Sequence, residues 1–90
     1  MSGNLQADRY LDFIAALRSF RVQIGVTQVA LAERLGRPQS FVSKTERLER
    51  RLDIVEFIDW AAALDQEPEV LLRTLRDWAT SDRDASVVDP

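Results

Sequence analysis

The sequence predicts an all-α domain of five helices. Apolar residues recur three and four positions apart along most of the chain, the period of an amphipathic helix. Residues that start and stop helices stand at the ends of those stretches. No stretch alternates polar with apolar residues as a half-buried strand does, and no internal repeat is present.

Residues 1–7 read as a flexible N-terminus, residues 8–80 as the folded domain and residues 81–90 as an acidic, disordered tail. From Asp8, the positions Tyr10, Phe13, Ile14, Leu17, Phe20 and Ile24 describe one apolar stripe and predict the first helix, which Gly25 ends. Thr27 follows as an N-cap, because its hydroxyl can accept from an otherwise unpaired backbone N–H. Val29, Leu31, Ala32 and Leu35 are the expected buried side of the second helix. Gly36 falls where the chain needs a left-handed residue to leave that helix, and Pro38 falls at the first turn of the third, where a missing N–H costs nothing. The third helix is expected to bury Val42 and to present Gln39, Ser40, Ser43, Lys44 and Arg47 outward.

After the loop Leu48-Glu-Arg-Arg-Leu52, Asp53 and Glu56 have the spacing of a capping box, in which each side chain bonds the other residue's backbone N–H. Leu52 and Phe57 flank it as a hydrophobic staple. The fourth helix is expected to bury Ile54, Phe57, Ile58, Ala61 and Leu64, with Trp60 also in the core. Asp65-Gln-Glu-Pro68 is the next turn. The fifth helix carries Leu71, Leu72, Leu75 and Trp78 and ends near Thr80.

Ninety residues make one domain, burying roughly 60–65% of its unfolded surface. Cysteine and histidine are both absent. That removes zinc sites, disulfides, a cysteine nucleophile and a Ser-His-Asp triad, and no catalytic residue, metal or cofactor is expected. A reducing cytoplasm is the expected compartment. No apolar run approaches the ~20 residues of a membrane span, and the start Met-Ser-Gly-Asn lacks the plan of a secretion signal.

The net charge is −3, but it is unevenly spread. Arg34 to Arg51 holds six basic residues against two acidic ones, a net of +4. Residues 1–33 balance, and Asp53 to Pro90 carry ten acidic residues against three basic, a net of −7. A phosphate backbone meets the local field and not the total. Two short helices joined by one glycine, with a polar and basic face on the second, have the geometry of a helix-turn-helix DNA reader.

From about Leu17 to Leu72 the sequence resembles the Xre/Cro-type helix-turn-helix regulators. The text that carries the resemblance is Leu17-Arg-Ser-Phe-Arg21, Gly25-Val-Thr-Gln-Val-Ala-Leu-Ala-Glu-Arg-Leu-Gly36, Gln39-Ser-Phe-Val-Ser-Lys-Thr-Glu46-Arg, Arg50-Arg-Leu-Asp-Ile-Val-Glu-Phe and Ala61-Ala-Ala-Leu64. The resemblance implies a five-helix, lambda-repressor-like fold whose third helix enters the major groove. It implies that Gln28, opening the second helix, grips a phosphate. It places Gln39, Ser40, Ser43 and Lys44 toward the bases and pairs Arg21 with Glu46 structurally. Leu48 stands where the family usually has glycine, so the third helix is expected to run on further. Thr45 stands where an apolar residue is common, so looser packing is expected beneath that helix.

Glutamine suits adenine because its amide donates and accepts together. Gln39 is therefore the first candidate for a base contact, against the alternative of a surface glutamine bonded to water or phosphate. Lys44 suits guanine or a phosphate equally, and Ser40 and Ser43 suit positioning. Phe41 suits either a thymine methyl or packing toward the second helix. Arg37, Arg47, Arg50 and Arg51 are expected at phosphates. Thr27 and Gln28, with a helix N-terminus behind them, complete the DNA-contacting set.

Leu71, Leu75 and Trp78 form the candidate dimer interface, since two copies would reach half-sites one helical turn apart. The leading expectation is a homodimeric repressor that occludes a promoter by binding double-stranded DNA. A protein partner for the fifth helix or the acidic tail is also considered. The competing class is a protein-interaction module of this fold that does not rely on DNA, motivated by the negative net charge. Nothing supplies a base or a metal for an enzyme.

Overall fold

The computed structural model describes the backbone of residues 2–88 and the side chains of residues 8–79. Five helices follow one another: α1 (Ser2–Gln23), α2 (Gln28–Leu35), α3 (Gln39–Glu46), α4 (Ile54–Ala63) and α5 (Pro68–Val88). The all-α expectation holds, and there is no strand among the described residues. The helical backbone continues past both limits read from the sequence, starting at Ser2 and running through Val88. Neither Gly nor Pro interrupts Ser81–Val88, so nothing in the backbone stops α5 at Thr80. The side chains of residues 1–7 and 80–90, including those of the acidic tail, lie outside the described residues.

Local chemistry sets the corners. Thr27 accepts from the N–H of Ala30 at 3.0 Å, as an N-cap should. Gly36 takes φ +67°, and the N–H of Arg37 then bonds back to the carbonyl of Ala32 at 3.0 Å. The chain leaves α2 and enters α3 within three residues. Asp53 and Glu56 close the capping box: the Glu56 N–H donates to Asp53 Oδ1 at 2.7 Å, and the Asp53 N–H donates to Glu56 Oε1 at 3.0 Å.

Packing follows one stripe per helix. α1 packs on α5 and α3, α2 on α3 and α4, and α4 on α5. Ile14, Leu17, Leu31, Val42, Trp60, Leu64, Leu71 and Leu75 fill the centre with almost no exposure. The Trp60 indole is wholly inside, as expected, although its N–H finds no acceptor among the described residues.

Several apolar residues assigned to the core are instead exposed. In α2 the inward positions are Gln28, Leu31, Ala32 and Leu35, and Val29 stands one step off that stripe on the surface. Ile24 lies beyond the end of α1 and is exposed, while Val26 turns inward in its place. In α4 the inward stripe is Phe57, Trp60, Ala61 and Leu64, so Ile54 and Ile58 face outward. Leu72 of α5 is likewise half-exposed.

The candidate dimer residues need a correction. Leu71 and Leu75 are completely buried within the protomer, in the core between α1, α4 and α5, and cannot meet a second copy. Trp78 packs its ring on Phe20, with centroids 5.7 Å apart. Among its described residues, α5 closes the core with Leu71 and Leu75, while Val70 and Leu72 stay exposed. No described helix is long and apolar enough to cross a membrane.

Candidate nucleic-acid interface

α3 is held from beneath by a chain of polar groups that starts in α1. Arg21 is buried and donates from Nε and Nη2 to the two carboxylate oxygens of Glu46, at 2.7 and 2.8 Å. Its Nη1 donates to the carbonyl of Val26 at 2.8 Å. The expected Arg21–Glu46 pair is therefore formed, bidentate and nearly dry, the Glu46 side chain being 1% exposed.

The structure extends that pair outward. Gln28 Nε2 donates to Glu46 Oε1 at 2.9 Å, and Gln39 Nε2 donates to Gln28 Oε1 at 3.2 Å. Gln28 occupies the first inward position of α2, which explains how a polar residue meets the ion pair. One bond to Gln28 fixes the Gln39 amide by a single hydrogen. Its carbonyl oxygen and its second amide hydrogen remain on an exposed face. Arg18 Nε also lies 3.9 Å from Glu46 Oε1 while staying largely exposed. The three-residue spacing from Arg21, one helical turn, was the signal for it.

The remaining face of α3 is polar. Ser40 and Lys44 are exposed, and Ser43 is half-buried with a long 3.4 Å bond to the Ser40 carbonyl. Phe41 does not join them. It turns under the helix and packs on the core, its ring against Trp60 of α4 with centroids 6.1 Å apart. The guanidinium groups of Arg37 and Arg50 lie 4.3 and 4.4 Å from its ring centroid, in cation–π range. The hydroxyl of Thr27 accepts its cap bond and keeps its own hydrogen to donate, on an exposed residue.

The loop after α3 differs from expectation. α3 does not run on, because Leu48 itself adopts the left-handed conformation, φ +68°, that the missing glycine would have taken. The Leu48 N–H then bonds the carbonyl of Thr45 at 3.1 Å and the Glu49 N–H bonds that of Lys44 at 2.8 Å. Thr45 does not loosen the packing. It is fully buried and both polar partners are present: its hydroxyl donates to the Phe41 carbonyl at 2.8 Å and accepts from Arg50 Nη1 at 3.2 Å.

Arg50 is thereby withdrawn from the solvent-facing set. Its Nη2 donates to both oxygens of Glu56, at 3.1 and 2.9 Å, in a pair that is mostly buried. The Arg50 hydrogen bond, and after it the Asp53 N–H, hold the Glu56 carboxyl below the usual glutamate range. Arg51 lies over the Tyr10 ring at 4.4 Å, and the Leu52 N–H donates to the Tyr10 hydroxyl at 3.1 Å. Arg47 forms an exposed bidentate pair with Glu49 at 3.1 and 3.2 Å, which contributes little to stability. The cations that reach solvent around α3 are thus Arg18, Arg37, Lys44, Arg47 and Arg51.

Comparison with known proteins agrees with this geometry. The helix-turn-helix family profile matches residues 17–71. A solved structure of an XRE-family like protein from Pseudomonas syringae pv. tomato str. DC3000 superposes with a TM-score of 0.77 at 45% sequence identity. The match covers 84% of this chain and 93% of that one. Among curated proteins, none matches the chain.

Proposed function

The chain belongs to the XRE family of helix-turn-helix proteins, which are DNA-binding regulators, and from that premise we propose that it is a repressor that binds an inverted-repeat operator as a homodimer. α3 lies in the major groove with Gln39, Ser40, Ser43 and Lys44 toward the bases. Gln39 reads adenine, accepting from N6–H with the oxygen left unbonded and donating to N7 with the free amide hydrogen. Gln28 holds it in that pose while standing near a phosphate at the start of α2. Arg37, Arg47 and Arg51 meet phosphates, and Arg47 exchanges Glu49 for one of them. Bound over a promoter, the dimer acts by occlusion in the cytoplasm.

The observation that carries this reading is the bonded series Arg21–Glu46–Gln28–Gln39. It runs from the buried core to an exposed amide and fixes that amide before any ligand arrives. Such preorganisation reduces the ordering cost of binding.

The test is selection from a random duplex library, followed by titration of the winner at several salt concentrations. If each protomer neutralises ~4 phosphates, log K falls with log salt at a slope of roughly −7. A palindromic winner with that slope supports the reading. No enriched sequence, with weak binding and a shallow slope, would transfer it to a protein-interaction module.

A further inference from the structure

Among the described residues, Gly25, Gly36, Asp65 and Leu48 hold a left-handed backbone. The first three suit it. Glycine lacks the Cβ that clashes there, and the short polar side chain of aspartate tolerates the conformation through local hydrogen bonding. Leucine has neither property, so its φ of +68° is strained. Burial does not offset that strain, because Leu48 is 43% exposed and stands outside the core and the residues packed against it. Val29 and Ile54 are also exposed, but they sit in ordinary helical backbone, and single apolar residues of that kind call for no partner. A strained residue with no matching contact inside the fold points to a contact outside it.

We propose that Leu48 is an apolar DNA contact, packing its side chain on the deoxyribose of the strand whose phosphates Arg47 and Arg51 hold. The inference rests on the DNA-binding reading above and adds to it a contact of different chemistry. Position and charge argue for this occupant. Leu48 directly follows α3, in the loop that carries Arg47 and Arg51. From Lys44 to Arg51 the exposed charges are Lys44, Arg47, Glu49 and Arg51, three basic against one acidic. Glu46 is buried on Arg21, and Arg50 is held by Glu56. The exposed balance draws a polyanion, although Glu49 pairs with Arg47 until a phosphate replaces it. The loop has little backbone to offer that anion. The N–H groups of Arg47, Leu48 and Glu49 already bond the carbonyls of Ser43, Thr45 and Lys44 at 2.9, 3.1 and 2.8 Å. Side chains must therefore make its contacts. A leucine set among cations is poorly placed for an apolar protein surface. It suits a sugar–phosphate strand, where each anion is followed by a sugar whose C–H groups are apolar. Such a contact is indifferent to base identity and displaces no counterion.

The experiment is fluorescence anisotropy titration of the full chain and three variants, with circular dichroism melts as the folding control. The probes are the duplex won by library selection and a random-sequence duplex of equal length, each at graded salt. Leu48→Gly and Leu48→Asn both suit the left-handed backbone, so they remove the side chain without removing the turn. Leu48→Met keeps an apolar side chain of similar volume. Leu48→Gly and Leu48→Asn are expected to weaken binding to both duplexes about tenfold, the scale of a part-exposed leucine newly covered. Their lines of log K against log salt should run parallel to the wild type's. Leu48→Met should stay within about twofold of wild type. Full affinity in Leu48→Asn would overturn the proposal. So would a flattened slope, which would mean that Leu48 acts by placing Arg47, or a loss confined to the selected duplex, which would mean a base contact. A wild type that binds neither duplex would sink the DNA-binding reading and this contact with it. A wild type that binds, with variants that match it, would remove this contact alone.

Discussion

Arg50 donates from Nη2 to both carboxylate oxygens of Glu56 while Glu56 also accepts from the N–H of Asp53, so one carboxylate closes a helix cap and anchors the loop beneath α3. Its pKa is lowered, first by the Arg50 hydrogen bond and then by the Asp53 N–H. A carboxyl with a depressed folded pKa binds fewer protons folded than unfolded. Its stabilising contribution is therefore complete above the unfolded value near ~4.3 and is lost as pH falls through the lower, folded one. Glu56→Gln is expected to be less stable at neutral pH and to lose less on acidification. Urea midpoints measured from neutral to acid pH test this. Parallel curves for wild type and variant would remove Glu56 as a source of acid sensitivity.

The same contact separates positioning from phosphate binding. Arg50→Ala is expected to weaken operator binding while leaving the salt slope in place, because the guanidinium is committed to Glu56, Thr45 and Phe41. Arg47→Ala is expected to flatten the slope by about 0.9, the value of one phosphate contact. Fluorescence titrations at graded salt distinguish the two. A slope change of that size in Arg50→Ala would return Arg50 to the phosphate-contacting set.

Leu48 sits at φ +68° and is substantially exposed. A non-glycine residue in the left-handed region costs ~1–2 kcal/mol, partly offset by the greater unfolded entropy of glycine. Leu48→Gly is accordingly expected to gain roughly 0.5–1 kcal/mol, visible as a higher Tm. An unchanged or lower Tm would mean that Leu48 packing outweighs its backbone strain.

Glu46→Ala leaves the buried Arg21 guanidinium without its counter-charge. Breaking a buried pair from one side costs ~3–5 kcal/mol. Replacing both residues, as Arg21→Met with Glu46→Leu, is expected to cost clearly less than the two single losses added together. A chemical-denaturation double-mutant cycle measures the difference, and simple additivity would show the pair to be uncoupled.

Gln28 and Gln39 act on one base pair if the bonded series orients the reading amide. Library selection with Gln39→Ala is expected to lose preference at one position per half-site, and Gln28→Ala to relax that same position. The double variant should add little further loss. Relaxation at a different position in Gln28→Ala would show that the two glutamines work separately.

Much of this arrangement was legible in the residues. Thr27, Gly36, Pro38, Asp53 and Glu56 announce their corners because capping and left-handed turns involve groups within about four residues of one another. The Arg21–Glu46 pair came from family resemblance, across twenty-five positions that no local rule spans. Gln28's bond to Glu46 left no such trace. A polar residue on the inward stripe of a helix looks like a flaw in the pattern until its distant partner is known.

The amino-acid sequence by itself determined the five helices, the corners at Thr27, Gly36 and Asp53 and the polar face of α3, since each depends on short-range backbone chemistry and period, but not the outer ends of α1 and α5 or the end of α3. Only the tertiary structure decided which side of α4 turns inward, because Ile54 and Ile58 are as apolar as the residues that were buried. It alone decided that Leu71 and Leu75 belong to the core, and that Arg50 is tied to Glu56 while Arg51 stays exposed. Burial and ion pairing sum over neighbours delivered by other helices, and a sequence read in order does not contain that sum.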